Sequence, residues 1–271
     1  MKKIKLSVIT LLTAMSVSLS SCLGDGDNTY PVYGTGHVGG SFSSQVVLDN
    51  GVKLNITNVS STELINYDRV FVAGTIVEEG YKGEAVSAGQ SLSVEASQLG
   101  SLFESDWKSS EDELKAEYLS DFSGFGWFPY GGVGNGYMNF ELIGTILYEK
   151  KSDNTQSVIE PSTYVYAKVN TDAKNVEMTI GYDNHWDDYE KADDSSELKD
   201  GYSYQSGVSF PVTIDMRSIY NQLSSAGLSD DTSITFKFIK MYNSGDEGEK
   251  KTEDISLSYT TFQLGYLKNQ Y

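Results

Sequence analysis

The stretch Val46-Val-Leu-Asp-Asn-Gly-Val-Lys-Leu-Asn-Ile56 decides the class of fold. Two short runs rich in Val, Leu and Ile flank Asp49-Asn50-Gly51. Asn and Gly tolerate the positive φ that a tight hairpin turn demands, so the segment predicts two antiparallel strands joined by a turn. Around it, Arg69 to Val77 is apolar on both alternating faces, as in a strand covered on both sides, and Ser91 to Glu95 alternates. Phe42 to about Phe103 therefore reads as a small β-barrel or sheet.

The second half of the chain carries the same signal more strongly. Met138, Phe140, Leu142, Ile146 and Tyr148 fall on even positions, with Asn139, Glu141, Thr145 and Glu149 opposite. A period of two places one face of a strand in a core. Val176, Met178, Ile180 and Tyr182 repeat the pattern, and so do Val165 to Val169, Ile234 to Phe238 and Ile255 to Tyr259. Pro211 assigns its strand to an edge or a bulge. Ser110-Glu-Asp-Glu113 matches a capping box and predicts a short helix through Tyr118. Ile219 and Leu223, with Gly227 as a stop, predict one or two helical turns. Many short strands with half-polar faces point to an antiparallel sandwich. Gly124 to Gly136 is punctuated throughout by Gly and Pro and reads as irregular.

The N-terminus reads as a targeting segment. Lys2, Lys3 and Lys5 precede the apolar run Leu6 to Leu19, and Leu19-Ser-Ser-Cys22 follows. That order resembles the lipobox of bacterial lipoproteins, in which the cysteine is acylated and becomes the mature N-terminus. Cys22 is the only cysteine in 271 residues, so no intramolecular disulfide forms and the core carries the stability. Residues 23 to 41 are mostly Gly, Asp, Asn, Ser and Thr and read as a tether.

Charge excludes one class of partner. The formal charge of −18 becomes −21 once the three signal lysines are removed. Nucleic acid is attached through basic side chains that displace counterions, so this chain is not expected to bind it. Attachment to the membrane is assigned to lipid on Cys22 rather than to a basic patch.

Chemistry-bearing motifs are sparse. Gly34-Thr-Gly-His-Val-Gly39 matches G-x-G-x-x-G but has no strand before it and no helix after it, so it reads as linker glycines. His185-Trp-Asp-Asp188, with Asp183, Glu190, Asp193 and Asp194, offers metal-ligand types, yet it lacks a second local histidine and the calcium-loop pattern. An acidic, solvated connection is the favoured reading, and no metal or cofactor is expected. The single thiol is committed to lipid and the two histidines, His37 and His185, are the only imidazole bases, so the expectation is a protein that is not an enzyme. Trp127, Phe128 and Tyr130 sit beside Pro129 among glycines, either as a binding surface or as a domain junction, with the junction favoured. Tyr202 and Tyr204 are a second, weaker aromatic candidate.

Taken in order, several segments resemble the NigD-like lipoprotein family. They are the acidic run after Cys22, the hairpin Val47 to Leu54, Asp68-Arg-Val70, Gly134-Asn-Gly-Tyr-Met-Asn-Phe140, Ser209 to Asp215 and Ile234 to Phe238. The resemblance implies an N-terminal OB-like domain followed by a β-sandwich on a lipid anchor in the outer membrane, with Asp25 and Asp27 consistent with surface display. It brings no catalytic residues. The resulting division is a lipoprotein signal peptide over 1–21, a flexible tether over 22–41, an OB-like β-domain over 42–104, a helix and Gly/aromatic connection over 105–136, and a β-sandwich domain over 137–271. The expected role is interaction with an envelope protein or peptide, of the bacteriocin-immunity kind. A surface glycan-binding lipoprotein is the alternative, and a fimbrial or adhesin subunit the third reading.

Overall fold

The computed structural model describes residues 29–39, 45–114, 119–151, 155–243, 250–255, 257 and 260–268. The signal segment, Cys22 and residues 23–28 lie outside the described residues. The chain divides into two compact units. One holds the described residues up to Ser101 together with Pro129–Gly131, and the other holds Leu102–Phe128 and the residues from Gly132 on.

The first unit is a closed barrel. Its strands are β1 (Tyr30–Val38), β2 (Gln45–Leu48), β3 (Lys53–Ile56), β4 (Arg69–Ile76) and β5 (Ser91–Ser101), with the short helix α1 (Ser61–Leu64) between β3 and β4. Around the barrel the order is β1-β2-β3-β5-β4, and β4 pairs back onto β1. This is a five-stranded barrel of the OB type. Val46, Leu54, Val70, Val72 and Val94 are fully buried in its core. At the β2–β3 turn Gly51 has φ 81°, its N–H donates to the Leu48 carbonyl at 2.8 Å, and the Val52 N–H donates to Asn50 Oδ1 at 3.1 Å. The hairpin read from Asp49-Asn-Gly51 is therefore present.

β1 corrects the tether. Residues 30–38 are barrel strand, and β1 pairs with β4 from Tyr30↔Ile76 to His37↔Arg69. The glycines that looked like linker or phosphate-loop residues are there for a close approach of strands. A Cβ on Gly36 would stand 2.2 Å from the Val47 carbonyl oxygen. His37, read as part of a mobile tether, sits in this strand; burial and the Arg69 charge hold its pKa below the usual value. Gly36→Ala is expected to push β1 off β2 and destabilise the barrel by about 1–3 kcal/mol. Urea denaturation followed by circular dichroism checks it, and an unchanged midpoint would contradict the close approach.

The prediction that Arg69–Val77 is covered on both sides has a specific cause. Val70 and Val72 face the barrel core. Phe71 points the other way and is still only 4% exposed, because Tyr130 stacks on it with ring centroids 5.9 Å apart and its ring also lies against Gly100.

The second unit packs two sheets face to face. In chain order its elements are β6 (Phe103–Glu104), β7 (Asp106–Trp107), β8 (Gly124–Trp127), β9 (Val133–Gly134), β10 (Tyr137–Lys150), β11 (Gln156–Ile159), β12 (Ser162–Asn170), β13 (Asn175–Asp183), α2 (Trp186–Tyr189), β14 (Glu190–Lys191), β15 (Asp194–Leu198), β16 (Tyr202–Asp215), α3 (Arg217–Ser225), β17 (Ser233–Asn243), β18 (Lys250–Asp254) and β19 (Thr260–Gln263). One sheet runs β11-β10-β16-β6, with β8 and β9 also on β10. The other runs β18-β17-β13-β12-β7, with β19 on β17. Met138, Phe140 and Leu142 from one sheet meet Val176, Met178, Ile180, Phe236 and Phe238 from the other in a fully buried core. The inner faces are the ones the period-two pattern selects.

Four local differences from the sequence reading have clear causes. β13 and β17 pair in parallel within an otherwise largely antiparallel sandwich. The β10–β16 ladder shifts register between Gly144 and Ile146, where β16 carries one extra residue, while the even positions of β10 go on facing the core through Ile146 and Tyr148; the Tyr182 hydroxyl donates to the Thr145 carbonyl there at 2.5 Å. Gly124–Trp127 is strand rather than irregular, because β10 supplies the hydrogen-bond partner that its glycines do not advertise. The helix read from Ser110 through Tyr118 shows a 3₁₀ turn at Glu111–Glu113, and residues 115–118 of that reading lie outside the described residues. Its Glu113 carboxylate accepts from the N–H and hydroxyl of Ser109, not from Ser110. α3 forms as read, with Ile219 and Leu223 buried.

Candidate functional site

The structure separates one sequence candidate and assembles another. Trp127, Phe128 and Tyr130 do not act as one group. Trp127 belongs to the sandwich, stacked on Phe140 with centroids 4.7 Å apart and edge-on to Phe262 at 5.5 Å. Phe128 is buried and donates its N–H to the Asn139 carbonyl. Tyr130 belongs to the barrel, where it lies against Phe71 and Tyr33 and its hydroxyl donates to Gln98 Oε1 at 2.9 Å.

The two weaker candidates, by contrast, converge. The His185–Asp188 segment and the Tyr202/Tyr204 pair form one face of the sandwich. Trp186 packs against Tyr204 with centroids 5.3 Å apart at 65°, and Tyr189 packs on Tyr202 at 4.6 Å and 39°. Tyr202 and Tyr204 are two residues apart on β16, so they share one side of it, roughly 7 Å apart. Trp186 and Tyr189 are three apart on α2, which puts them on one side of that helical turn. The result is a wall of four rings, with Tyr204 57% exposed.

What holds α2 in place is a set of polar contacts at the end of β13. His185 adopts the left-handed conformation at φ 62°. Its N–H donates to Asp183 Oδ1 at 2.7 Å, and the Trp186 N–H donates to Asn184 Oδ1 at 3.1 Å. Asn184 Oδ1 also accepts from the Ser120 hydroxyl at 2.7 Å. These turn-forming side chains explain why the chain leaves the strand and doubles back over β16.

The imidazole of His185 lies between carboxylates and a serine. Nε2 is 3.1 Å from Ser162 Oγ, while Nδ1 is 3.4 Å from Asp183 Oδ2 and 3.7 Å from Asp188 Oδ2. Sequence reading did not anticipate Ser162, because β12 brings it in from 23 residues away. The trio has the composition of a nucleophilic triad. Both Nδ1 distances, however, exceed a hydrogen bond and are shared between two acids, so neither carboxylate fixes the ring in one orientation. The group binds α2 to the sheet. Among the described residues no cluster of three or more His, Cys, Asp or Glu is arranged to hold a metal ion.

The electrostatics of this face are one-sided. Burial raises the pKa of Asp183, helped by the charges of Asp188 and Asp187. Burial and the charge of Asp188 raise that of Asp187. Tyr189 is raised by burial first, then by Tyr202, Asp188 and Glu149. Some acids elsewhere have basic partners, as in Lys168–Glu111, Lys191–Glu197, Lys240–Asp121 and Lys268–Asp230. Among the described residues no Lys or Arg forms an ion pair with Asp183, Asp187, Asp188 or Glu149; Lys199 reaches only the Asp188 carbonyl, at 2.8 Å.

A second concavity lies on the barrel, a cavity of about 250 Å³ under the β4–β5 loop, lined in part by Glu78, Glu79, Glu84, Tyr81 and Leu92. Its acids are exposed, and Glu78 Oε2 accepts the Ser93 N–H at 3.3 Å. No helix of the described residues is long and apolar enough to cross a membrane.

An OB-type barrel together with a two-sheet sandwich defines the class of this protein. Among solved structures it is similar to an uncharacterized protein from Parabacteroides merdae, at 11% identity and a TM-score of 0.49 over 87% of this chain and 99% of that one. It is also similar to a NigD-like immunity protein from Bacteroides caccae, at 14% identity and a TM-score of 0.42 over 83% of this chain and 92% of that one. No family model matches the chain, and no curated protein matches it.

Proposed function

We propose that this protein is a lipoprotein held on the bacterial outer membrane through acylated Cys22, and that it works by binding an envelope protein or peptide rather than by catalysis. The observation that carries the attachment is the order of charged residues, apolar run, small residues and cysteine across Lys2 to Cys22. Several acyl chains, each adding about 0.8 kcal/mol per buried CH2, suffice for stable anchoring. Two features support binding without catalysis: the one thiol is assigned to lipid, and the two imidazoles are engaged, His37 in a barrel strand and His185 at the base of α2. A role of the immunity kind is what the family resemblance adds, and Asp25 and Asp27 favour display at the surface.

The test is fractionation of cells carrying Cys22→Ala. The variant is expected in the soluble envelope fraction, without incorporated palmitate, while the parent chain stays with the membrane. A Cys22→Ala protein that remains membrane-bound would refute lipid anchoring. Protease treatment of intact cells reads surface display separately.

A further inference from the structure

We propose that the wall of Trp186, Tyr189, Tyr202 and Tyr204, with the carboxylates of Asp187, Asp188 and Glu149 around it, is a docking surface for a basic, Lys- or Arg-bearing peptide segment. The proposal rests on the reading of the protein as a peptide binder and gives that partner its chemistry.

Three observations carry it. The first is exposure: Tyr204 leaves more than half of its surface in water, next to the partly exposed Trp186, Tyr189 and Tyr202. The second is ring geometry. Trp186 meets Tyr204 at 65° and forms a corner, not a flat platform. A corner of π-faces suits an ammonium or guanidinium group, whereas a sugar ring stacks on a flat face. The third is charge. Glu149 is the cross-strand partner of Tyr202, the charges of Asp188 and Glu149 both act on the Tyr189 hydroxyl, and Asp187 adds to the field as the neighbour of Asp188 on α2. These acids are left without Lys or Arg ion-pair partners among the described residues, and they stand directly beside exposed rings. A cationic side chain against the rings would meet carboxylates within reach and relieve their mutual repulsion.

The probe is a synthetic peptide of alternating lysine and glycine, with its glutamate–glycine counterpart as control, titrated into the full chain in detergent and followed by tryptophan fluorescence. The lysine peptide is expected to bind, more weakly as salt rises, and the glutamate peptide not to bind. Tyr204→Leu keeps apolar bulk and removes the π-face, and Asp187→Asn with Asp188→Asn removes the charges. Each is expected to weaken binding about fivefold or more. Glu79→Gln with Glu84→Gln, which removes the same charge from the barrel, is expected to leave affinity within about twofold. Circular dichroism confirms that each variant is folded, and if Tyr204→Leu is not, the aspartate pair decides. Absence of binding at low salt overturns the proposal. So does equal weakening by the barrel pair, which would show diffuse attraction to the whole acidic surface, or binding of a glycan array through Tyr204 instead. A protein that ignores the peptide yet stays in the membrane fraction through Cys22 sinks this proposal and leaves the anchored-binder reading standing.

Discussion

Arg69→Ala is expected to destabilise the barrel by about 3–5 kcal/mol, a large part of what a domain this size has to lose. Arg69 is 4% exposed and its partner Asp49 10%. The guanidinium grips the carboxylate with two bonds, Nη1 to Oδ1 at 2.6 Å and Nη2 to Oδ2 at 2.8 Å. The Thr35 hydroxyl adds a third, to Oδ2 at 2.7 Å. Truncation leaves a carboxylate buried beside a hydroxyl that cannot neutralise it. The effect comes from the orphaned charge more than from the lost attraction, which gives a sharper expectation. Arg69→Met combined with Asp49→Leu should recover more than half of the loss, because a buried pair replaced as a pair costs little. Hydrogen exchange at the amides of β1 and β4 reads the barrel directly. A single variant within about 1 kcal/mol of the parent would show that the pair is not buried in solution.

Trp127→Ala is expected to cost about 3–5 kcal/mol in the sandwich. The indole stacks on Phe140 and meets Phe238 and Phe262 edge-on, so its removal opens a cavity that three rings border. Near-UV circular dichroism should lose intensity, and the denaturation midpoint should fall. Tyr130→Ala, by contrast, removes a ring that packs on Phe71 on the outside of the barrel and is expected to cost about 1 kcal/mol. If Trp127→Ala left stability unchanged and abolished binding to a glycan, the core assignment would be wrong and the glycan-binding alternative restored.

These two residues also show what can be read before folding. Asp49 and Arg69 were visible as parts of a hairpin and a strand start, but nothing in the sequence joins them. Their 20-residue separation closes only when β1 lies between β2 and β4 in the barrel. Trp127 looked like a loop aromatic because glycines surround it. Its strand character comes from β10, since a two-strand ladder depends on the partner as much as on the segment itself. The β1 error has the same root. Glycine lowers intrinsic strand propensity, yet Gly36 is required where a neighbouring carbonyl approaches too closely for any Cβ.

For the candidate site the division is cleaner. Trp186 and Tyr189 at i, i+3 and Tyr202 and Tyr204 at i, i+2 are each a facial signal that one strip of sequence carries. That the two faces meet depends on a turn held by Asp183, Asn184 and Ser120.

By itself, the sequence determined the mainly β class, the inner faces of the sandwich strands, the β2–β3 hairpin and the acidic balance. All of these rest on local quantities: periodicity, turn chemistry and charge. Only the tertiary structure decided the membership of β1 in the barrel, the parallel pairing of β13 with β17, the burial of Arg69 against Asp49, and the meeting of α2 with β16. Each joins residues distant in the chain, and the free energy that selects such a pairing resides in neither partner until both are in place.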